Sequence, residues 1–281
     1  LVDKWFFGLD LPLNAINGDA AAGAAGVSFS YGALSGTTLF DDGISSSDIN
    51  QGRAGTCYFL AAAASIANSQ PRLIRELFRD NGDGTYGVRF YGCQGSEVWV
   101  TVNRQIPVNP SGDPLLATNA RRSMQGELWV SLLEKAYAQA NEIGVFGRDV
   151  NANSYGAIEG GFEDALRYIS GSGTTAYSVE FSRTGWVSVG NDPIRWRAAE
   201  QQAIDALTSS RPMIALSYGT TELAGKIHFV PRHVFSVLSY DRLSGLFTLA
   251  NPWGAGGFSY APSFQASWDD LFGVRAIVAW A

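Results

Sequence analysis

Cysteine and histidine are scarce in this chain, with two of each in 281 residues. Two cysteines, Cys57 and Cys93, make no disulfide framework of the kind that staples small secreted folds. With His228 and His233 as the only imidazoles, a zinc site has too few nitrogen and sulfur ligands to draw on. Long apolar runs are lacking as well. Nothing approaches the roughly 18 consecutive apolar residues that read as a transmembrane helix. Positive charge is in deficit, the net charge being -6, and an acidic chain has no general attraction for nucleic acid or anionic lipid. We therefore expect neither nucleic acid nor membrane as a partner. No internal repeat is visible. The sequence opens at Leu1 without a basic-then-apolar leader, so we read it as a trimmed or processed part of a longer chain, with its compartment unknown.

What is present is a globular composition, 46% hydrophobic and 16% charged, long enough for one large domain or two lobes. The chain is organised around the stretch Gln51-Gly52-Arg53-Ala54-Gly55-Thr56-Cys57 and the apolar run that follows to Ala67. Ala and Leu are the best helix formers, so Cys57 is expected in the first turn of a buried helix. A small thiol in an Ala-rich helix is by itself ordinary packing. At a helix N-terminus, however, unpartnered N–H groups and the dipole's positive end favour the thiolate. Gln51, just upstream, carries a side-chain amide suited to donate to an oxyanion beside the sulfur.

Taken in order, residues 1–37 read as a flexible, prosegment-like extension, with an apolar Trp5-Phe6-Phe7 cluster and a run of Ala and Gly from Ala20 to Gly26. Residues 38–172 read as a largely helical lobe. Pro71 opens a second helix, Asn81-Gly82-Asp83-Gly84 marks a hairpin, and Glu127 falls in the first turn of a helix carrying Leu128, Leu132 and Leu133. The Asp80–Gly84 segment superficially resembles a calcium loop but lacks the acidic ladder, so we read it as a turn. Residues 173–281 read as a β-rich lobe. Asp192-Pro193 starts one helix there, and the apolar runs from Met213 onward alternate with turns as an antiparallel sheet. Within that sheet, His233 to Asn251 forms a hairpin turning near Arg242. His233 and Asn251 then lie side by side to within a residue or two. An Asn there would fix the imidazole's tautomer and angle, and Trp253 laid over the pair would exclude water. His228 has no such partner across a hairpin.

Together these residues resemble the catalytic core of the calpain family of cysteine proteases. The resemblance rests on Gln51-Gly52-x-x-Gly55-x-Cys57 followed by an aromatic, and on Glu127-x-Trp129. It continues through Leu133-Glu134-Lys135-Ala136-Tyr137-Ala138, Gly160-Gly161, His233 and Asn251-Pro252-Trp253-Gly254. Tyr58 after the cysteine, Asp83-Gly84-Thr85-Tyr86 and short loops look more like bacterial members than animal ones. The resemblance implies an α+β, papain-like two-lobe fold, with the nucleophile lobe first. It further implies Cys57 as nucleophile, His233 as base, Asn251 as orienter and Gln51 as oxyanion donor, with Gly160, Gly161 and Trp253 along the substrate. Two positions depart from the family pattern: Thr56 stands where Asp is usual, and Arg232 where Gly usually precedes the histidine.

The activity so implied is hydrolysis of a polypeptide through a thioester, which requires no cofactor. In the family, acidic residues matching Asp48 and Glu127, with backbone carbonyls matching Asp41 and Gly43, resemble a calcium site. Here Gly254-Ala255-Gly256-Gly257 runs directly to the closing strands without the long acidic insertion of animal members. The expectation is thus for a single calcium ion at most. Two rival functions are a catalytically silent, calcium-responsive binding module, and a transamidase that passes the acyl group to an amine.

Overall fold

A computed structural model describes residues 6–17, 26–119, 126–162, 164–179, 186–223, 225–256 and 259–281. The Ala-rich run from Ala20 and Trp5 of the apolar cluster lie outside them. Helices and antiparallel-rich sheets are mixed along the chain, which makes the fold α+β. No helix among the described residues is long and apolar enough to cross a membrane.

The central element is the helix Cys57–Ser69, buried from Tyr58 to Ala67. Its four consecutive alanines, Ala61 to Ala64, carry almost no side chain to hold a neighbour away, so other elements approach it closely. On one side it packs against the helix Asp164–Ser170, and on another against the strands Met213–Ser217 and His233–Asp241. Pro71 opens the next helix, Pro71–Glu76, at its first position. The expected hairpin follows, with Phe78–Asp80 paired to Thr85–Tyr91 and that strand paired to Glu97–Asn103.

The helix Trp129–Asn141 is buried on every side. Its backbone start corrects one expectation: Glu127 lies before the helix, with Leu128 as N-cap, and does not sit in the first turn. Leu128 N–H donates to Thr38 O and Trp129 N–H to Leu39 O, so the segment after Thr37 is laced onto this helix start.

The second half is a seven-stranded sheet. Its order is Ser263–Ala266, Leu246–Ala250, His233–Asp241, Met213–Ser217, Ile277–Trp280, Thr175–Ser178 and Trp186–Ser188. The strands from Met213 onward pair antiparallel as expected, and only the last pair, Thr175–Ser178 with Trp186–Ser188, is parallel. Asp192 accepts from Ile194 and Arg195 N–H and caps the helix Pro193–Thr208. Two hydrophobic cores result. One surrounds the Cys57 helix; the other lies under the sheet's far face, where the Trp196 and Trp268 rings stack at 4.5 Å.

The expectation of a loose extension over residues 1–37 needs correction for its described part. Ile16 and Phe29 are buried in the first core, and Ser30–Ala33 pairs with Gln105–Val108. Leu13 N–H donates to Asn153 O and Asn17 N–H to Glu159 Oε2. A few buried apolar side chains and one short strand are enough to fasten the described part. Phe6 and Phe7 do remain exposed.

Candidate active site

The Cys57 helix packs against the His233–Asp241 strand. Asn68 Nδ2 donates to Leu238 O at 2.9 Å, and Ser65 Oγ accepts from Met213 N–H at 2.6 Å. From Asn68 back to Cys57 is about 16 Å of helix, and from Leu238 back to His233 is about 16 Å of strand. Cys57 begins the helix and His233 begins the strand, so each stands at the opposite end of its element from these contacts. Gln51 N–H donates to Pro252 O at 2.9 Å, a backbone bond joining the two sides.

On the strand side, Ser236 pairs with Ala250, so Asn251 follows opposite the residues just after His233, and both side chains share a face. His233 is fully buried, and its Nε2 lies 2.8 Å from Asn251 Oδ1. The direction of that bond can be worked out. Trp253 backbone N–H, which can only donate, also reaches Asn251 Oδ1 at 3.0 Å. The atom is therefore the amide oxygen, Nε2 carries the proton, and Nδ1 is the basic nitrogen. The Trp253 ring lies against the imidazole with centroids 4.2 Å apart. Its cover lowers the local dielectric and strengthens the bond beneath. His228 is elsewhere, stacked on Phe264 at 5.0 Å.

Arg232 answers one of the departures. Its φ of +60° is left-handed, the conformation glycine takes most cheaply, and its N–H donates to Ser217 O at 2.7 Å. The chain needs a turn here to enter the strand, and Arg232 makes it at a cost of about 1–2 kcal/mol that a glycine would avoid.

On the helix side, Gln51 is fully buried and its Nε2 donates to Ala54 O at 2.6 Å, which uses one of the amide's two N–H bonds and fixes its plane. Gly52 has φ +68°, and a Cβ there would fall 2.5 Å from Leu116 O. No other residue fits at that point. Thr56, the second departure, does not cap the helix with its hydroxyl; the hydroxyl donates instead to Glu134 Oε1 at 2.5 Å. Glu134 Oε2 accepts from Ala117 N–H. Burial pushes the Glu134 carboxyl up from 4.5 to about 7. An Asp in place of Thr56 would set a second carboxylate against it. Sequence reasoning quoted Glu134 only as part of a motif. The signal it overlooked is a charged residue inside an otherwise apolar buried helix.

Gly160 and Gly161 are exposed and adjacent to the loop before Cys57, Gly160 N–H donating to Gly55 O at 3.0 Å. Glu159 Oε1 accepts from Gly55 N–H. Cys93 lies apart from all of this, exposed, with its thiol on Val145 O.

A third cluster lies upstream. Oxygens of Asp42, Asp48 and Glu127 all fall within 4.8 Å of one another. A polar pocket of about 250 Å³ beside them is lined by Asp42, Gly43, Ser45, Asp48 and Asn119. Glu127 Oε1 accepts from Asp41 N–H at 2.5 Å, and Trp129 Nε1 reaches both Glu127 and Asp48. Burial, with the neighbouring carboxylates adding to it, raises both the Asp48 and Glu127 carboxyls. Asp42 was not foreseen here: the expected set had the carbonyl of Asp41, one residue back.

Comparison with known proteins adds to this geometry. Residues 32–271 match the family described as "Calpain family cysteine protease". Calpain-type cysteine protease DEK1 of Zea mays is 40% identical over 136 residues, 47% of this chain and 6% of that protein. Calpain-13 of Rattus norvegicus is 27% identical over 226 residues, 76% of this chain and 30% of that protein. The catalytic subunit of calpain-2 of Macaca fascicularis is 29% identical over 223 residues, 75% of this chain and 28% of that protein. The chain thus spans less than a third of the curated relatives it matches. These relatives are plant and animal proteins, and the expected likeness to bacterial members finds no support among them. With the matched family covering the Cys57 helix, the His233 strand and the residues between, the chain belongs to the calpain family of cysteine proteases.

Proposed function

We propose that this chain is a cysteine endopeptidase of two lobes, hydrolysing peptide bonds through a thioester with Cys57, His233 and Asn251 as its triad. The observation that carries the proposal is the buried His233–Asn251 bond. Asn251 Oδ1, receiving two donors, leaves the imidazole protonated on Nε2 and basic at Nδ1. That nitrogen takes the proton of Cys57, and the helix N-terminus favours the thiolate formed. The thiolate attacks the scissile carbonyl. The Gln51 amide and the Cys57 N–H receive the developing oxyanion. The imidazolium then protonates the leaving amine and next activates water to release the acyl group. The substrate is an extended polypeptide held along Gly160 and Gly161.

The Asp42, Asp48 and Glu127 cluster suits a calcium ion. Carboxylates gathered within 4.8 Å and raised by burial form a hard, anionic, partly dry oxygen site. Asp48 and Glu127 would hold the ion, with Asp42 and the carbonyls of Asp41 and Gly43 beside them. When bound, the ion would supply only charge and cross-linking. The chain's own part is to tie the loop leading into Gln51 onto the start of the Trp129–Asn141 helix.

A peptidyl epoxide inhibitor and casein hydrolysis together test the proposal. Labelling at Cys57 with casein cleavage is expected. Labelling without hydrolysis would favour transfer of the acyl group to an amine, and no labelling at all would favour a silent binding module.

A further inference from the structure

Arg148 sits in a segment of no regular structure, yet its guanidinium makes four hydrogen bonds to the region beside the nucleophile. Nε donates to Ala157 O at 3.1 Å; one terminal nitrogen donates to Glu159 O at 3.0 Å and to Gly160 O at 2.8 Å. The other terminal nitrogen donates to Tyr58 Oη at 2.9 Å. Tyr58 Oη in turn donates to Ile158 O at 2.8 Å. Every carbonyl from Ala157 to Gly160 is thereby engaged by Arg148 or by the tyrosine it holds. Tyr58 is the residue after Cys57, and its ring fills the space where a side chain on Gly161 would go, 2.7 Å from an added Cβ.

The geometry of a trans peptide then matters. Its C=O and N–H point in opposite directions. With Gly160 O drawn inward to Arg148, the N–H of Gly161 is aimed outward. Gly161 is exposed, and neither its N–H nor its C=O is engaged in a hydrogen bond among the described residues. An outward donor beside an unengaged acceptor on one exposed residue is what an extended peptide can pair with, as an added strand pairs with a sheet edge. Arg148 is well chosen for the task. A planar fork with five donors reaches several carbonyls at fixed angles, which an ammonium cannot do.

Resting on the reading of Gly160 and Gly161 as the substrate ledge, we propose that Arg148 is a positioning residue for substrate. It clamps the ledge to the nucleophile helix and aims the Gly161 peptide group at the bound chain. It touches neither the sulfur nor the imidazole, so the chemistry of Cys57 should be left alone when it is lost.

The test compares the wild type with Arg148→Gln and Arg148→Lys, each first shown to unfold cooperatively. Two readouts are taken: KM and kcat for an extended peptide, and the rate of Cys57 alkylation by iodoacetamide, which needs no ledge. Arg148→Gln is expected to raise KM about tenfold or more, with alkylation within about twofold of wild type. Arg148→Lys, which keeps the charge and loses the fork, is expected to recover less than half of the loss. Unchanged KM in a folded Arg148→Gln protein would overturn the proposal, as would full rescue by lysine. Equal losses in both readouts would also overturn it, pointing to general disruption of the helix. Should Arg148→Gln fail to fold, Tyr58→Phe removes the same link from its other end; it should raise KM in the same direction, and an unchanged KM would overturn the proposal. Failure of the underlying protease reading is distinguishable, since the wild type itself would then show no peptide hydrolysis.

Discussion

The two sides of the proposed site are built by different means. On the His233 side, position comes from sheet register: a strand pair, an Asn two residues off register, and an aromatic cover. On the Cys57 side, the loop from Gln51 to Thr56 is held by groups from distant parts of the chain. Thr56 bonds Glu134, Gly55 bonds Glu159, and Arg53 N–H bonds Leu115 O. Two of these anchors are carboxylates, and a third acidic cluster lies just upstream. The His233 side takes its position from the sheet. The Cys57 side carries carboxylate anchors, and it is where pH and cations should act.

Breaking the base side should cost the most. His233→Ala removes the proton acceptor and is expected to lower kcat on the order of 10⁴-fold or more, whereas Asn251→Ala, losing orientation only, should cost at least about tenfold less. Steady-state kinetics on one peptide compares them, and an equal or larger loss at Asn251 would undo the roles assigned. On the nucleophile side, Gln51→Ala is expected to lower kcat by about 10²–10³-fold with little change in KM, since it removes an oxyanion donor. A loss confined to KM would place Gln51 in binding instead.

Two smaller effects sharpen the contrast. Calcium binding, read by titration calorimetry, should fit one site and vanish in Glu127→Ala, while the same titration of Asn251→Ala should match wild type. No heat with the wild type, together with full activity in excess chelator, would leave the acidic cluster without a metal role. Glu134 gives the pH effect. Burial holds its carboxyl at about 7 in the fold against an ordinary 4.5, so between these values the unfolded chain has released a proton that the folded chain keeps. Stability from this group therefore falls as pH rises through that window. Thermal unfolding of Glu134→Gln should show a flatter pH dependence between pH 5 and 7 than wild type. The same slope in both proteins would show that Glu134 does not titrate there.

How much of this was legible in the sequence follows the same division. Cys57, His233, Asn251 and Gln51 each stand at the end of an apolar element or in the turn before it, where a polar residue is conspicuous. The hairpin arithmetic from Arg242 placed His233 beside Asn251 because strand register is a local property. Glu134 was missed because its partners, Thr56 and Ala117, lie 78 and 17 residues away and no periodicity connects them. Arg148 was missed for a similar reason, since its acceptors are backbone carbonyls that a sequence does not mark. The first 37 residues misled in the opposite direction. Their glycines and alanines read as loose chain, yet in the described part Ile16 and Phe29 are buried in the first core.

The central claim is that Cys57 reacts as a thiolate paired with the His233 imidazolium. The pH dependence of Cys57 alkylation by iodoacetamide, in wild type and in His233→Ala, tests it most directly. An ordinary thiol loses reactivity as pH falls below about 8.5. The account predicts that the wild type stays reactive well into the acid range, and that His233→Ala returns to a single rise near the ordinary thiol value. Identical profiles for the two proteins would contradict it.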